Sequence, residues 1–212
     1  MRLGIVACDI FKRELDLILK DDPEVVHKEY LEFGLHCEPE KLKQTVIDKC
    51  NALEGQVDAI FLGYSICQSL KDVTKEIRVP SFMLDGDDCI AVFLTPIGYA
   101  QEKVKCTGTW FNTPGWADLG IKGCIKELHL DSALDQGYDP MYFMNMLFTG
   151  YSRCLFIDTG VDKEHFEALS MDFAKTMNLR HESRCCDLRL LEEGIRKAKA
   201  LAPPHSLGRA EP

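Results

Sequence analysis

Cysteine is the residue type through which this chain could do most of its chemistry. The sequence has ten cysteines, and no two of them form a C-x-x-C pair. They stand at positions 8, 37, 50, 67, 89, 106, 124, 154, 185 and 186. Zinc fingers and zinc ribbons take their ligands in close sequential pairs, so this spacing excludes both classes. Thiols that act together here must be brought together by the fold.

The compartment decides what these thiols can do. The apolar run at residues 3–8 is too short for the hydrophobic region of a secretory leader. The apolar run at residues 90–100 contains Pro96 and is too short for a membrane helix. We therefore expect a cytoplasmic protein, in which cysteines stay reduced and serve metal binding, redox chemistry, catalysis or packing.

The composition is that of a globular chain with a hydrophobic core: 212 residues, 46% hydrophobic and 28% charged. With 25 basic and 34 acidic residues, the formal charge is −9, so neither nucleic acid nor an anionic membrane is an expected partner. No change in composition divides the chain. We expect one domain over residues 1–202 and a disordered tail over residues 203–212.

Short apolar runs alternate with segments of helical composition. Strands are predicted over residues 2–8, 25–33, 58–64, 79–85, 154–158 and 179–186. A helix is predicted over residues 88–101 with a break at Pro96, and a loop over Thr107 to Trp116. The alternation predicts an α/β fold: a Rossmann-like parallel sheet with helices on both faces, in a three-layer sandwich. No glycine-rich nucleotide loop and no G-x-S-x-G elbow is found.

Four potential metal ligands follow successive predicted strands. Cys8 closes the first strand and His36 follows the second, while Cys67 and Cys89 follow the third and the fourth. The carboxyl ends of parallel strands share one edge, so these side chains can converge. Three thiolates and one imidazole suit a zinc ion or an iron–sulfur cluster. Core packing is the alternative for any one of these cysteines.

Other side chains near this edge are further candidates. Asp88 is predicted to act as an acid or a base, with a helix N-cap as the structural alternative. Tyr64, Trp110 and Trp116 are candidates for contact with a cofactor, and the alternative for the tryptophans is burial as loop anchors. The helix expected over residues 141–148 is apolar on all sides, which is typical of a core or oligomer helix.

The remaining cysteines are separated by their positions. Successive side chains of an extended segment face opposite ways, so at most one of Cys185 and Cys186 can join a site on one face. Cys37 follows His36 directly and is a candidate neighbour of the site. Packing is predicted for Cys50, Cys106, Cys124 and Cys154.

Several motifs resemble those of the family called domain of unknown function 1638. They are A-C-D-I-F at residues 7–11, L-H at 35–36, G-Y-S-I-C at 63–67, D-C-I at 88–90, and G-T-W with T-P-G-W within 108–116. The resemblance covers roughly the first 190 residues. It implies a protein of anaerobic one-carbon metabolism whose gene often lies near corrinoid-dependent methyltransferases, and it brings no established activity. The chain departs from the family pattern at Asp87, where histidine is usual, and at Ser65, where glycine is usual.

Three hypotheses for function follow. The first is a metal-binding protein, with zinc or an iron–sulfur cluster on the four ligands, that acts in corrinoid-linked methyl transfer or methylamine metabolism. Its expected partners are a corrinoid protein or a methyltransferase, which would supply the corrinoid, together with a small-molecule substrate and a second copy of the chain. The second is a metal-free enzyme that uses two cysteines on a small amine or carboxylate. The third is an accessory protein that delivers metal or corrinoid to a methyltransferase.

Overall fold

Seven parallel strands form the centre of the molecule. A computed structural model describes residues 1–66 and 70–202 of the chain. The strands are β1 (Leu3–Cys8), β2 (Val25–Leu31), β3 (Ala59–Gly63), β4 (Ser81–Met83), β5 (Thr109–Asn112), β6 (Arg153–Asp158) and β7 (Arg180–Cys185). One sheet has the order β2-β1-β3-β4 and the other has the order β5-β6-β7. All of these pairings are parallel.

Helices connect the strands and cover the sheets. They are α1 (Lys12–Ile18), α2 (Pro39–Ala52), α3 (Cys89–Leu94), α4 (Pro96–Lys105), α5 (Pro114–Glu127), α6 (Pro140–Leu147), α7 (Lys163–Thr176) and α8 (Arg189–Ala200). Short 3₁₀ helices occupy Asp9–Phe11, Phe33–Cys37, Val73–Lys75 and Leu130–Gln136. No described helix is both long enough and apolar enough to cross a membrane.

The α/β class and the parallel pairing are confirmed. β1, β3 and β6 are buried along their whole length, as expected for strands covered on both faces. The described strands form two sheets where the sequence predicted one, because β4 ends the first sheet after three residues and the chain then continues as two helices. One cluster of buried apolar side chains includes residues of both sheets, such as Phe61 and Ile157. The single domain stays a prediction, and the tail at 203–212 lies outside the described residues.

The predicted loop at Thr107 to Trp116 is wrong. Most of this segment is β5 and the start of α5, since β5 pairs with β6 in the second sheet. Gly108 marks a close approach of two chain segments and not a turn: a Cβ there would lie 2.1 Å from the backbone oxygen of Gly150. Thr113 caps α5 by accepting a hydrogen bond from the backbone N–H of Trp116 at 3.4 Å.

Two helix predictions have clear outcomes. The break at Pro96 is confirmed, because α3 ends at Leu94 and Thr95 caps α4 from a positive φ of 62°. The helix at residues 141–148 is buried on one side only. Met144 is fully buried in α6, whereas Tyr142 and Met146 are 60% and 56% exposed. Of the two alternatives for this helix, a fully buried core helix is wrong, because α6 packs one face on the core and leaves the other at the surface. An oligomer helix stays a prediction.

Candidate functional site

A large cavity lies at the carboxyl edge of the first sheet. Its volume is about 430 Å³, a size that suits a small organic molecule. One wall is the strand edge, with Cys8, His36, Tyr64, Ser65, Asp88 and Cys89. The opposite wall comes from α4, β5 and the region around them, with Tyr99, Lys103, Trp110, Phe111, Trp116 and Tyr151. The cavity therefore joins the first sheet to the beginning of the second.

Three of the four predicted metal ligands line this cavity. Cys8 is the last residue of β1, His36 lies in the 3₁₀ helix that follows β2, and Cys89 is the first residue of α3. The fourth, Cys67, lies outside the described residues. Within residues 1–66 and 70–202, no three histidine, cysteine, aspartate or glutamate side chains are grouped closely enough to hold a metal ion. Convergence on one cavity is confirmed for three ligands, and metal binding stays a prediction.

His36 is held as a neutral base beside the strand edge. Its ring stacks on Phe33 with 5.0 Å between ring centroids, and the Tyr64 ring lies 6.3 Å away. Burial lowers the pKa of His36 below its ordinary value, so the imidazole is neutral at pH 7. Glu127 of α5 fixes the 3₁₀ helix by accepting a hydrogen bond of 2.5 Å from the backbone N–H of Gly34. A neutral imidazole is the form that binds a metal or accepts a proton.

Asp88 lines the cavity and also has a structural role. Its carboxylate caps α3 by accepting a 3.0 Å hydrogen bond from the backbone N–H of Ala91. It also accepts a hydrogen bond from the Tyr99 hydroxyl, and burial together with this bond raises the pKa of Tyr99. The Lys103 ammonium lies 4.0 Å from the centre of the Tyr99 ring. The N-cap alternative is thus confirmed, and an acid or base role for Asp88 stays a prediction.

An aromatic wall faces the strand edge. The Trp116 ring is 4.2 Å from Phe33 and 5.0 Å from Trp110, and both ring pairs meet at more than 70°. The chain has only two tryptophans, and both line the cavity. Tyr64 lines it as well and is 2% exposed. The three side chains proposed to contact a cofactor therefore line one cavity, and their contact with a cofactor stays a prediction.

Several lining residues were not singled out from the sequence. Phe33, Tyr99, Lys103 and Tyr151 all line the cavity. Ser65 lines it too, although the sequence marked it only as a departure from the family pattern. Tyr99 and Lys103 are four residues apart and hence on one face of α4, a spacing that could have indicated a shared surface. Nothing in the local sequence places that face against the strand edge. For Tyr151, which lies between α6 and β6, no sequence signal exists.

The cysteines assigned to packing lie away from the cavity. Burial raises the pKa of Cys50 and Cys124 to about 12 and that of Cys154 to about 11, so these thiols are inert at neutral pH. Packing is confirmed for these three. Cys106 does not line the cavity, but it is partly exposed, and hydrogen bonds with Ser152 and Thr109 lower its pKa. Its assignment to packing was therefore wrong, because it sits at the surface just before β5.

The two adjacent cysteines at the end of β7 and the neighbour of His36 do not join the site. Cys185 is exposed while Cys186 is partly buried, which confirms that they face opposite ways. Neither lines the cavity. Cys37 is exposed, and its thiol lies 3.8 Å from the backbone oxygen of Glu127.

A buried carboxyl group outside the cavity was missed. Glu14 of α1 is fully buried and accepts a 2.9 Å hydrogen bond from the Thr159 hydroxyl, which joins α1 to the segment after β6. Burial raises the pKa of Glu14 to about 7, although the bond from Thr159 works in the opposite direction. Within the sequence it looks like an ordinary charged residue of a helix, and only tertiary packing buries it.

Comparison with known proteins gives one match. A family described as "Protein of unknown function (DUF1638)" matches residues 30–195, which is 166 of the 212 residues. The matched range includes His36 and Cys89 and begins after Cys8. No curated protein matches the chain, and no solved structure matches it.

Proposed function

Because the chain belongs to the DUF1638 family, whose description assigns no function, we propose one from the cavity. The protein binds a zinc ion or an iron–sulfur cluster through Cys8, His36, Cys67 and Cys89, and it holds a small molecule beside that centre. The observation that carries this proposal is the convergence of Cys8, His36 and Cys89, from three separate segments, on one cavity.

The chemistry of the donors supports the proposal. His36 is neutral at pH 7 and so offers a lone pair without losing a proton. Cys89 is the first residue of α3, so its thiol stands at the same strand edge as His36. Cys8 differs from the buried packing cysteines because it lines the cavity, where a metal ion could reach its thiol. Cys67 follows Tyr64 by three residues in the sequence and would be the fourth ligand.

A bound metal centre would supply a Lewis acid or a site for a soft donor such as a thiolate. The chain's own residues then hold the organic part of a ligand against the aromatic wall of Phe33, Trp110 and Trp116. A role in corrinoid-linked methyl transfer or methylamine metabolism, with a corrinoid protein or methyltransferase as partner, is proposed on the family resemblance alone.

The test is elemental analysis of anaerobically purified protein, together with its visible spectrum. We expect stoichiometric zinc or iron in the wild-type chain. Separate substitutions Cys8→Ser, Cys67→Ser and Cys89→Ser should each remove most of it, since each deletes one of four ligands. Cys37→Ser is the matched control, because this exposed thiol follows His36 but does not line the cavity.

Two results would overturn the metal proposal. One is wild-type protein without stoichiometric metal, and the other is equal metal loading in Cys67→Ser and in the Cys37→Ser control. Circular dichroism of each variant separates loss of a ligand from loss of the fold.

A metal-free thiol enzyme is the second candidate. The observation that favours it is the neutral imidazole of His36 in the same cavity as Cys8 and Cys89, because a thiol and a base are the minimum for proton transfer or nucleophilic attack. Site-resolved alkylation of metal-free protein tests it. Fast modification of Cys8 or Cys89 that slows in His36→Gln would support this candidate, and rates equal to that of Cys37 would exclude it.

A further inference from the structure

The polar side chains that line the cavity differ in whether they already have a hydrogen-bond partner. Asp88 is the one carboxylate among the described lining residues, and it already accepts hydrogen bonds from Ala91 and Tyr99. Two buried polar atoms of the lining residues have no hydrogen-bond partner among the described residues. They are the Ser65 hydroxyl, which can donate or accept, and the indole N–H of Trp110, which can only donate. A ligand that carries acceptor atoms can satisfy both.

Ser65 is the strongest of these observations. It stands directly after Tyr64 at the carboxyl end of the first sheet, and it is 1% exposed. A buried hydroxyl without a partner destabilises the folded chain, and native sites normally satisfy such a group through a ligand or an ordered water. The hydroxyl can rotate about a single bond and so can turn toward the cavity that the residue lines.

Charge favours an anion over a neutral acceptor. Lys103 is the only lysine or arginine among the described lining residues, and it forms no ion pair with any described residue. His36 is neutral at pH 7, and the thiols Cys8 and Cys89 lie on the opposite wall. The negative charge of Asp88 would repel an anion. Its carboxylate is already engaged at the start of α3, where it accepts hydrogen bonds from the Ala91 N–H and the Tyr99 hydroxyl.

We propose that the cavity binds a monocarboxylate with an apolar body. Ser65 and Trp110 donate hydrogen bonds to the carboxylate, Lys103 supplies the opposite charge, and the aromatic wall packs against the apolar body. This inference rests on the proposed function in one respect, because it concerns the same cavity and names the class of small molecule bound there. It does not require the metal.

The experiment compares three ligands with one body and different heads: phenylacetate, phenylacetamide and 2-phenylethylammonium. Reduced, chelator-treated protein is titrated with each by calorimetry and by tryptophan fluorescence, which reports on this cavity because both tryptophans line it. We expect phenylacetate to bind about tenfold more tightly than 2-phenylethylammonium, with phenylacetamide between them.

Two substitutions assign the effect to residues. Ser65→Ala and Lys103→Gln should each weaken phenylacetate binding by about fivefold and leave 2-phenylethylammonium binding no weaker. Lys122→Gln, an exposed lysine of α5 that does not line the cavity, is the control and should change neither. Ser65→Ala should also leave thermal stability unchanged or raised, because it deletes a buried oxygen without a described partner.

Three results with the wild-type chain would overturn the inference. They are tightest binding of 2-phenylethylammonium, equal binding of all three ligands, and no binding of phenylacetate. So would unchanged phenylacetate binding in both variants. The outcome is separate from that of the metal proposal, because the chelator-treated chain is used here and metal content is measured on the untreated chain.

Discussion

The carboxyl edges of the two sheets differ in how their polar side chains are used. At the first sheet, Cys8, Ser65 and Cys89 line an open cavity. At the second, Asp158 accepts hydrogen bonds from Lys163 at 2.9 Å and from the Cys185 thiol at 3.3 Å. The comparison teaches that a strand end places polar groups at an edge, while their pairing decides whether they remain available to a ligand.

Charged side chains at the second sheet and on α4 form buried ion pairs that should stabilise the fold. The largest expected change in stability tests this role. Arg153 and Glu102 are both 3% exposed and are joined at 2.9 Å, with Glu182 also bound to Arg153 at 3.1 Å. Arg153→Met should lower the free energy of unfolding by about 3–5 kcal/mol. It removes the buried cation bound to Glu102, which keeps only the more exposed Lys105 and Arg184, and it also removes a hydrogen bond to Thr109. Urea denaturation measures the change, and a loss below about 1 kcal/mol would contradict a structural role.

A pH dependence should arise where the two halves meet, at Glu14. The folded state raises the pKa of Glu14 from 4.5 to about 7, so its stabilisation is complete below pH 4.5 and is lost as the pH rises through 7. Glu14→Gln cannot ionise and should be more stable than wild type by about 3 kcal/mol at pH 8, with little difference at pH 4. Thermal unfolding over this pH range checks it. Parallel stability curves for the two proteins would show that Glu14 does not titrate on unfolding.

At the first edge, Asp88 combines a cap with a position in the cavity, and two substitutions separate these roles. Asp88→Ala should lower the free energy of unfolding by about 1 kcal/mol, because α3 loses its cap. Asp88→Asn keeps a capping oxygen and should change stability less. Denaturant titrations of both variants measure this, and equal losses would mean that the carboxylate charge matters more than the cap.

The smallest effect is expected for the thiol at the second edge. Cys185→Ser should change the free energy of unfolding by less than about 0.5 kcal/mol, because Cys185 is exposed and Asp158 keeps its bond to Lys163. Metal content of the anaerobically purified variant should equal that of wild type. A loss of metal in this variant would move the candidate centre from the first sheet to the second.

Much of the site was predictable because strand ends carry positional information. The apolar run ending at Cys8 and the segment after β2 that holds His36 were both readable from local sequence, and parallel pairing places them at one edge. The error at Thr107 to Trp116 has a local cause. Glycine and proline in that segment mark a close approach at Gly108 and the first turn of α5, and both resemble loop signals in one dimension.

The sequence by itself determined the α/β class, the parallel strands and the residues at the first edge, because hydrophobic periodicity and strand ends are local properties. Only the tertiary structure decided that the strands form two sheets and that α4 and β5 supply the second wall. It also decided which polar groups are paired: Glu14 with Thr159 across 145 residues, and Ser65 with no described partner. Burial and pairing depend on contacts between distant segments, and no local pattern encodes them.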